Sequence, residues 1–429
     1  MTDLLSKYGG KSFQSLPTPS FVLQQEKFDR NCKLMLNSVH DLSQITGKEI
    51  LFRAHIKTHK TAQGTFKQLG FGIPSSKMTS NSILISTMKE AHGLLDFQES
   101  LGKDYVKDIC YSMPAGVIPA LEQLSILSRR VESLRIFVDH LEHLDNLVRF
   151  GLPASKKKWS VFIKVDMGTQ RAGLNPQSEE FLALLRKAIS HDVSEVVELY
   201  GFYAHAGHSY SSDSIEDAHE YLIEEIEAVN YAAQLLTLQA PEMDLSKLVL
   251  SVGATPTSNA LRVADESKLT NIIQKKLQGV LEIHCGNYCV YDLQQLSTGC
   301  IKDYDISGFV LGSVFSSYEA RNEILTDTGV MVLTREASKV PGRGLCVRLE
   351  DILYNEPFNY QWYVDRVSQE HGILKTYENS GARSTDVKIG SKIAILPQHA
   401  CIVMGQFPYY FVVDKDGTVT DMWTPFQKW

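Results

Sequence analysis

Leu51 to Lys60 reads LFRAHIKTHK. Taken as a strand over residues 51–56, this stretch puts Phe52, Ala54 and Ile56 on one face and Arg53, His55 and Lys57 on the other. Basic side chains therefore gather at one strand end. A lysine on the interior side of such an end can be desolvated, which lowers the pKa of its amine toward the range where it attacks carbonyls. On an open surface the same Lys57 would only begin a solvated loop, so the rest of the chain decides between the two readings.

Working outward, the stretch is the first beat of a rhythm. Short apolar runs recur at 50–56, 82–86, 107–111, 134–138, 160–165, 198–203, 247–252 and 279–284. Between them lie amphipathic helical patterns near 61–69, 88–95, 117–128, 140–149, 178–189, 214–237 and 265–276. Eight strands alternating with helices predict a (β/α)8 TIM barrel over residues 20–305, with a doubly wound open sheet as the alternative. After Thr298-Gly299 the pattern changes to closely spaced strand candidates: 308–316, 329–335, 344–350, 360–368, 387–396, 399–405, 409–413 and 418–424. These predict a mainly-β domain over 306–429, joined by residues 1–19. Asp414-Lys415-Asp416-Gly417 is its clearest hairpin turn.

At 429 residues, 43% apolar and 22% charged, the chain is an ordinary folded protein with room for more than one core. A net charge of −7 gives no general reason to bind nucleic acid or an anionic membrane. The N-terminal MTDLLSKYGGKSF has no apolar core of a secretory signal, and no window reaches the length of a membrane span, so a cytoplasmic location is expected. Seven cysteines, an odd number in a large chain, favour reduced thiols.

Barrels place chemistry just past their strand C-termini. There this chain carries Lys57, then Lys164-Val165-Asp166-Met167-Gly168-Thr169-Gln170-Arg171, then Tyr203-Ala204-His205-Ala206-Gly207-His208-Ser209-Tyr210. The seventh and eighth strands are followed by Gly253, Thr255, Thr257 and Ser258, and by Gly286 and Asn287. Small residues and hydroxyls at those two ends suit a phosphate. Opposite a candidate amine, they point to a phosphate-bearing aldehyde cofactor, pyridoxal phosphate. In the β domain, Gln398-His399-Ala400-Cys401 puts an imidazole and a thiol at i and i+2 of a candidate strand, on one side. That donor pair favours zinc in an open site, unless it is a core cysteine beside a hydrogen-bonded histidine.

Lys57, VDMGTQRAG, GFYAHAGHSY, SVGATPTS, HCGNY and PQHAC together resemble the eukaryotic, fungal-type D-serine dehydratases, over essentially the whole chain. That family shares the alanine-racemase-like fold of type III pyridoxal phosphate enzymes. The resemblance implies Lys57 as the Schiff-base lysine and Cα base. It implies cofactor contacts from Arg171, Tyr203, Tyr210, Thr257, Gly286 and Asn287, and zinc on His399 and Cys401. It further implies elimination of water from D-serine to give pyruvate and ammonia, a parallel reaction of D-threonine to 2-oxobutanoate, and a homodimer. An amino-acid racemase or a non-catalytic pyridoxal phosphate-binding homeostasis protein are the alternatives.

Overall fold

The computed structural model describes residues 2–262, 266–378 and 380–429. The chain divides into two compact units. One comprises Lys33–Gly286 with Phe426–Trp429; the other comprises the residues up to Cys32 together with Asn287–Pro425.

The first strand, β1 (Ser20–Gln24), belongs to the second of these units. The next eight are β2 (Ile50–His55), β3 (Ser82–Ile85), β4 (Asp108–Pro114), β5 (Ser133–Val138), β6 (Trp159–Lys164), β7 (Val197–Tyr203), β8 (Val249–Val252) and β9 (Val280–Cys285). They close in that order into an all-parallel barrel, β9 pairing with β2 so that Arg53 lies opposite His284. The eight runs read from sequence are these eight strands, and closure excludes the open sheet. Short polar residues cap several of the helices that follow the strand ends. Thr61, Thr87, Ser178 and Ser214 each accept a backbone N–H at the start of the helix they precede. The helix expected near 265–276 is Glu266–Lys275, residue 265 lying outside the described residues.

Inside the barrel the expected alternation holds, with one polar layer among apolar ones. Arg53, with no exposed surface, bonds Asp108 at 2.7 Å and Glu282 at 3.0 Å. Arg135 closes on the other carboxylate oxygen of Asp108 at 3.0 Å and on Ser160 at 2.6 Å. Leu84, Cys110, Phe137, Phe162, Tyr203 and Val249 form a buried apolar cluster in the same unit. With a strand period of two, the residues after Arg53 and Glu282 on the same inward face are His55 and His284, one step nearer the C-terminal mouth.

The other unit is a nine-stranded sheet. After β1 it contains β10 (Gly308–Tyr318), β11 (Glu323–Thr326), β12 (Gly344–Val347), β13 (Trp362–Val367), β14 (Gly372–Thr376), β15 (Lys392–Pro397), β16 (Tyr410–Val413) and β17 (Val419–Trp423). Their order is β11-β14-β13-β12-β15-β10-β1-β16-β17. β1 runs antiparallel to β10 and parallel to β16, and all five of its residues are buried. Phe21 lies against the rings of Tyr410 and Phe407, centroids 5.4 and 5.8 Å away.

Two strand candidates of this region are not strands. Residues 329–335 form a turn in which Val332 and Leu333 both donate to the Gly329 carbonyl, and Leu333 is buried as a plug. Residues 399–405 contain the short helix Ala400–Met404, with His399 as its extended N-cap residue. His399 and Cys401 therefore do not alternate along a strand. The physical reason is Asp292, whose buried carboxylate accepts the Ala400 N–H at 2.8 Å and so satisfies the first turn of that helix. Strands β11 and β14, short and with polar residues at their ends, are additions to the sequence reading.

Candidate active site

Lys57 sits half-buried in the turn that leaves β2. That turn is held at both ends: Ile56 N–H donates to Leu84 O at 3.1 Å, and Lys60 N–H returns to Ile56 O at 2.9 Å. Beside it His59 is fully buried, its ring nitrogens bonded to Thr61 Oγ1 at 3.1 Å and Gln68 Oε1 at 2.9 Å. Gln68 in turn donates to the Gly286 carbonyl at 3.3 Å, tying the helix after β2 to the end of β9. At Gly286 a Cβ would stand 2.9 Å from His55 O, so only glycine lets the two strand ends approach this closely.

A second amine and three imidazoles share this mouth. Lys164 ends β6, its Nζ 4.9 Å from the ring centre of Phe137 and 5.2 Å from that of Tyr203. Burial first, then the Arg171 guanidinium, lower its pKa to about 8. His55, His205 and His284 are all kept neutral, chiefly by burial. His205 is brought down to about 4, and the other two fall well below the ordinary histidine value. Lys57 acts electrostatically on His55, His205 and Lys164, and Arg171 on Lys164 and His205, so these five groups converge. Arg171 itself is exposed, in a loop folded around Asp166, whose Oδ1 accepts from Gly168 N at 3.0 Å and Gln170 N at 3.1 Å.

Tyr203 is 4% exposed and stacks on His284, ring centres 4.0 Å apart and planes within 14°. Tyr210 lies half-buried in the short 3-10 turn Gly207–Ser211 that follows. Thr257 is fully buried in the turn after β8, where its hydroxyl accepts from Ala254 N–H at 2.9 Å. The two loops carrying these residues meet on Glu225, from the helix Ile215–Gln239. Its Oε1 accepts Ala206 N–H at 2.5 Å and Gly253 N–H at 3.3 Å, and the carboxylate also bonds Thr257. Burial raises the Glu225 carboxyl to about 7. Gly253 cannot be replaced quietly: its φ is +151°, and a Cβ would lie 1.8 Å from His284 O.

In the other unit, Asn287 donates to Asp292 Oδ2 at 2.6 Å, and Asp292 also accepts Gln295 N–H at 3.0 Å. Through the Ala400 bond the same carboxylate fixes the His399–Cys401 turn. His399 Nδ1 bonds Glu336 Oε2, and the His399 and Cys401 side chains bond each other. Burial pulls the His399 imidazolium down, but Cys401, Asp292 and Glu336 outweigh it and raise its pKa to about 10. This is a place that favours positive charge. Among the described residues, no three or more His, Cys, Asp or Glu side chains are grouped to hold a metal ion. The donor set is the pair His399 and Cys401, with Glu336 on the other side of the imidazole.

Lys57, Arg171, Tyr203, Tyr210, Thr257 and Gly286 thus all lie on strand ends or loops at one end of the barrel, while Asn287, His399 and Cys401 lie in the second unit. Lys164 and His284 open stretches quoted from sequence but were given no role there, and Glu225 and Asp292 were not singled out at all. For Lys164 and His284 the inward alternation of β6 and β9 was the available signal. Glu225 comes from the middle of an amphipathic helix and carried none.

A family model described as the alanine racemase N-terminal domain matches residues 110–268, and one for a serine dehydratase domain matches residues 307–413. The chain is 59% identical to D-serine dehydratase of Saccharomyces cerevisiae over 429 residues, covering 100% of both. The solved structure of D-threo-3-hydroxyaspartate dehydratase from Delftia sp. HT23 matches 97% of this chain and 100% of its own, at 26% identity and a TM-score of 0.79. A cysteine-to-alanine mutant of D-threo-3-hydroxyaspartate dehydratase, solved in the metal-free form, matches at 26% identity with a TM-score of 0.80, covering 98% and 100% of the two chains.

Proposed function

Because the chain belongs to the D-serine dehydratase family, we propose that it eliminates water from D-serine to give pyruvate and ammonia, and converts D-threonine likewise to 2-oxobutanoate. The observation that carries this reading is Lys57, held at the barrel mouth among three neutral imidazoles in a chain 59% identical to a D-serine dehydratase from end to end.

The residues fit pyridoxal phosphate. Lys57 offers the amine for its aldehyde, Tyr203 and Tyr210 the flanks of its ring, and Arg171 a cation at the same mouth. Thr257, Gly286 and Asn287 offer hydroxyl, side-chain-free backbone and amide to its phosphate. One buried acceptor at the barrel mouth, His284 Nε2, has no hydrogen-bond partner among the described residues, as expected where a polar ligand completes the set. His399 and Cys401 fit zinc, and a carboxylate on Nδ1 leaves the imidazole Nε2 for the ion. When bound, the cofactor supplies an electron sink at Cα and the metal a Lewis acid for the departing hydroxide.

The chain's own groups do the rest. Lys57 removes the Cα proton, and from its one side of the substrate it selects the D enantiomer. Loss of the Cβ hydroxide leaves an aminoacrylate, and its hydrolysis takes up one water to release pyruvate and ammonia. A homodimer and a cytoplasmic place of action complete the reading. None of the seven cysteines is in a disulfide, and among the described residues no helix is long and apolar enough to cross a membrane.

Two variants separate the roles. Lys57→Ala is expected to abolish both turnover and the visible absorbance of the covalently held cofactor; a persisting covalent band would refute the lysine's role. His399→Ala or Cys401→Ala should keep that absorbance while losing stoichiometric zinc, read by metal analysis, and pyruvate formation. L-serine appearing from D-serine without pyruvate would instead make the protein a racemase.

A further inference from the structure

Of the groups at the barrel mouth, His284 is the one whose hydrogen bonding is both fixed and incomplete. Ser251 Oγ lies 2.7 Å from Glu282 Oε1 and 3.0 Å from His284 Nδ1. Arg53, itself paired with Asp108, donates to the same Glu282 oxygen at 3.0 Å, which makes it the carboxylate end of the chain. The serine has one proton and gives it to that carboxylate, so it accepts from the imidazole. Nδ1 therefore carries the ring hydrogen and Nε2 is a bare lone pair. His284 is 2% exposed, and its Nε2 has no partner among the described residues.

A buried acceptor left unmatched is costly, and this one cannot be relieved by taking up a proton. Burial first, then the neighbouring His205 and the charges of Lys164 and Arg53, hold the imidazole neutral against the opposing pull of the Gly253 backbone. The ring cannot turn away either, being stacked on Tyr203 and tied down through Ser251. The free nitrogen belongs to the last inward-facing residue of β9, two residues before Gly286. What it lacks is a ligand that brings an N–H donor on a flat ring.

We infer that His284 Nε2 accepts the ring N–H of pyridoxal phosphate, so that this protein holds the pyridine nitrogen of its cofactor protonated. The inference rests on the cofactor assignment above and goes beyond it, giving His284 a contact and the ring a protonation state. A protonated ring withdraws electrons from Cα more strongly than a neutral one, which is what removal of a Cα proton before loss of hydroxide requires. The chain Arg53, Glu282, Ser251, His284 then serves to fix one tautomer at one atom.

The test is solid-state nitrogen NMR of the holoprotein loaded with pyridoxal phosphate labelled at the ring nitrogen. The wild type is expected to show a pyridinium resonance at pH 7. His284→Phe keeps a ring against Tyr203 but has no acceptor. It should move the signal to the neutral range and weaken cofactor binding by about ten- to a hundredfold, the loss of a hydrogen bond to a charged donor. A pyridinium signal unchanged in His284→Phe, or a neutral nitrogen in the wild type, would overturn the inference. If that variant does not fold, histidine-labelled wild-type protein decides instead. A coupling across the hydrogen bond between the cofactor nitrogen and a histidine Nε2 supports the contact, and its absence overturns it. A wild-type protein that takes up no pyridoxal phosphate refutes the functional reading as well, whereas uptake with a neutral ring nitrogen refutes this inference alone.

Discussion

Asp292 shows how much one side chain can organise. Its two oxygens accept from Gln295 N–H, Ala400 N–H and Asn287 Nδ2, with all three distances at or below 3.0 Å. Burial raises its pKa, against the lowering pull of His399 and of its own hydrogen bonds, at the point where two short helices begin. Asp292→Ala removes a cap worth about 1–2 kcal/mol and frees the turn carrying His399 and Cys401. Zinc affinity is expected to fall roughly 10- to 100-fold, the usual effect of losing a group that orients metal ligands. Competition with a chromogenic chelator measures it, and unchanged affinity would show that the turn holds its shape without Asp292.

At the scale of elements, the helix Ile215–Gln239 does more than cover the barrel, because Glu225 joins the loops after β7 and β8. The carboxyl is raised from 4.5 to about 7, so the folded protein binds this proton more tightly than the unfolded chain does. Below pH ~4.5 the group is protonated in both states and exerts no pH effect. Between ~4.5 and ~7 only the unfolded chain loses the proton, which makes unfolding easier as pH rises; above ~7 the loss is complete. Glu225→Gln keeps an oxygen for Ala206 N–H but cannot ionise. Relative to it, the wild type should lose about 3 kcal/mol between pH 4.5 and 7, as read by urea unfolding. A pH-independent difference would show that Glu225 does not change charge there. Legibility in the sequence follows the same division. All eight barrel strands were readable because both faces of a parallel strand are covered, leaving compact apolar runs such as SVFIKV at 160–165. The apolar run at 399–405 misled, because its helix depends on a carboxylate more than a hundred residues away. Lys57 and the His399–Cys401 pair stood out by residue type, whereas Glu225 acts only through partners that folding brings to it.

For the whole molecule, the decisive topological fact is that β1 stands between β10 and β16 rather than at an edge. A fragment of residues 287–425 lacks the strand that joins six strands on one side to two on the other. Alone it should expose both edges and aggregate, whereas fusion of residues 1–32 to the same fragment should restore a soluble, cooperatively unfolding unit. Circular dichroism and sedimentation decide; a folded, monomeric 287–425 fragment would show that β1 is dispensable.

That placement also sets a schedule. During synthesis residues 20–24 leave the ribosome before every other strand described, but the register partners of β1 begin at Gly308 and end at Val413. At about 5–20 residues per second, the segment waits roughly 20–80 s for its last neighbour. Its five buried residues stay unpaired until Gly308–Leu311 of β10 appear, by which time the whole barrel has been made and can fold. The strand that appears earliest is therefore among the last to find its place. Conditions that slow translation should endanger SFVLQ at 20–24 more than any strand of the barrel, making it the segment with most need of a chaperone.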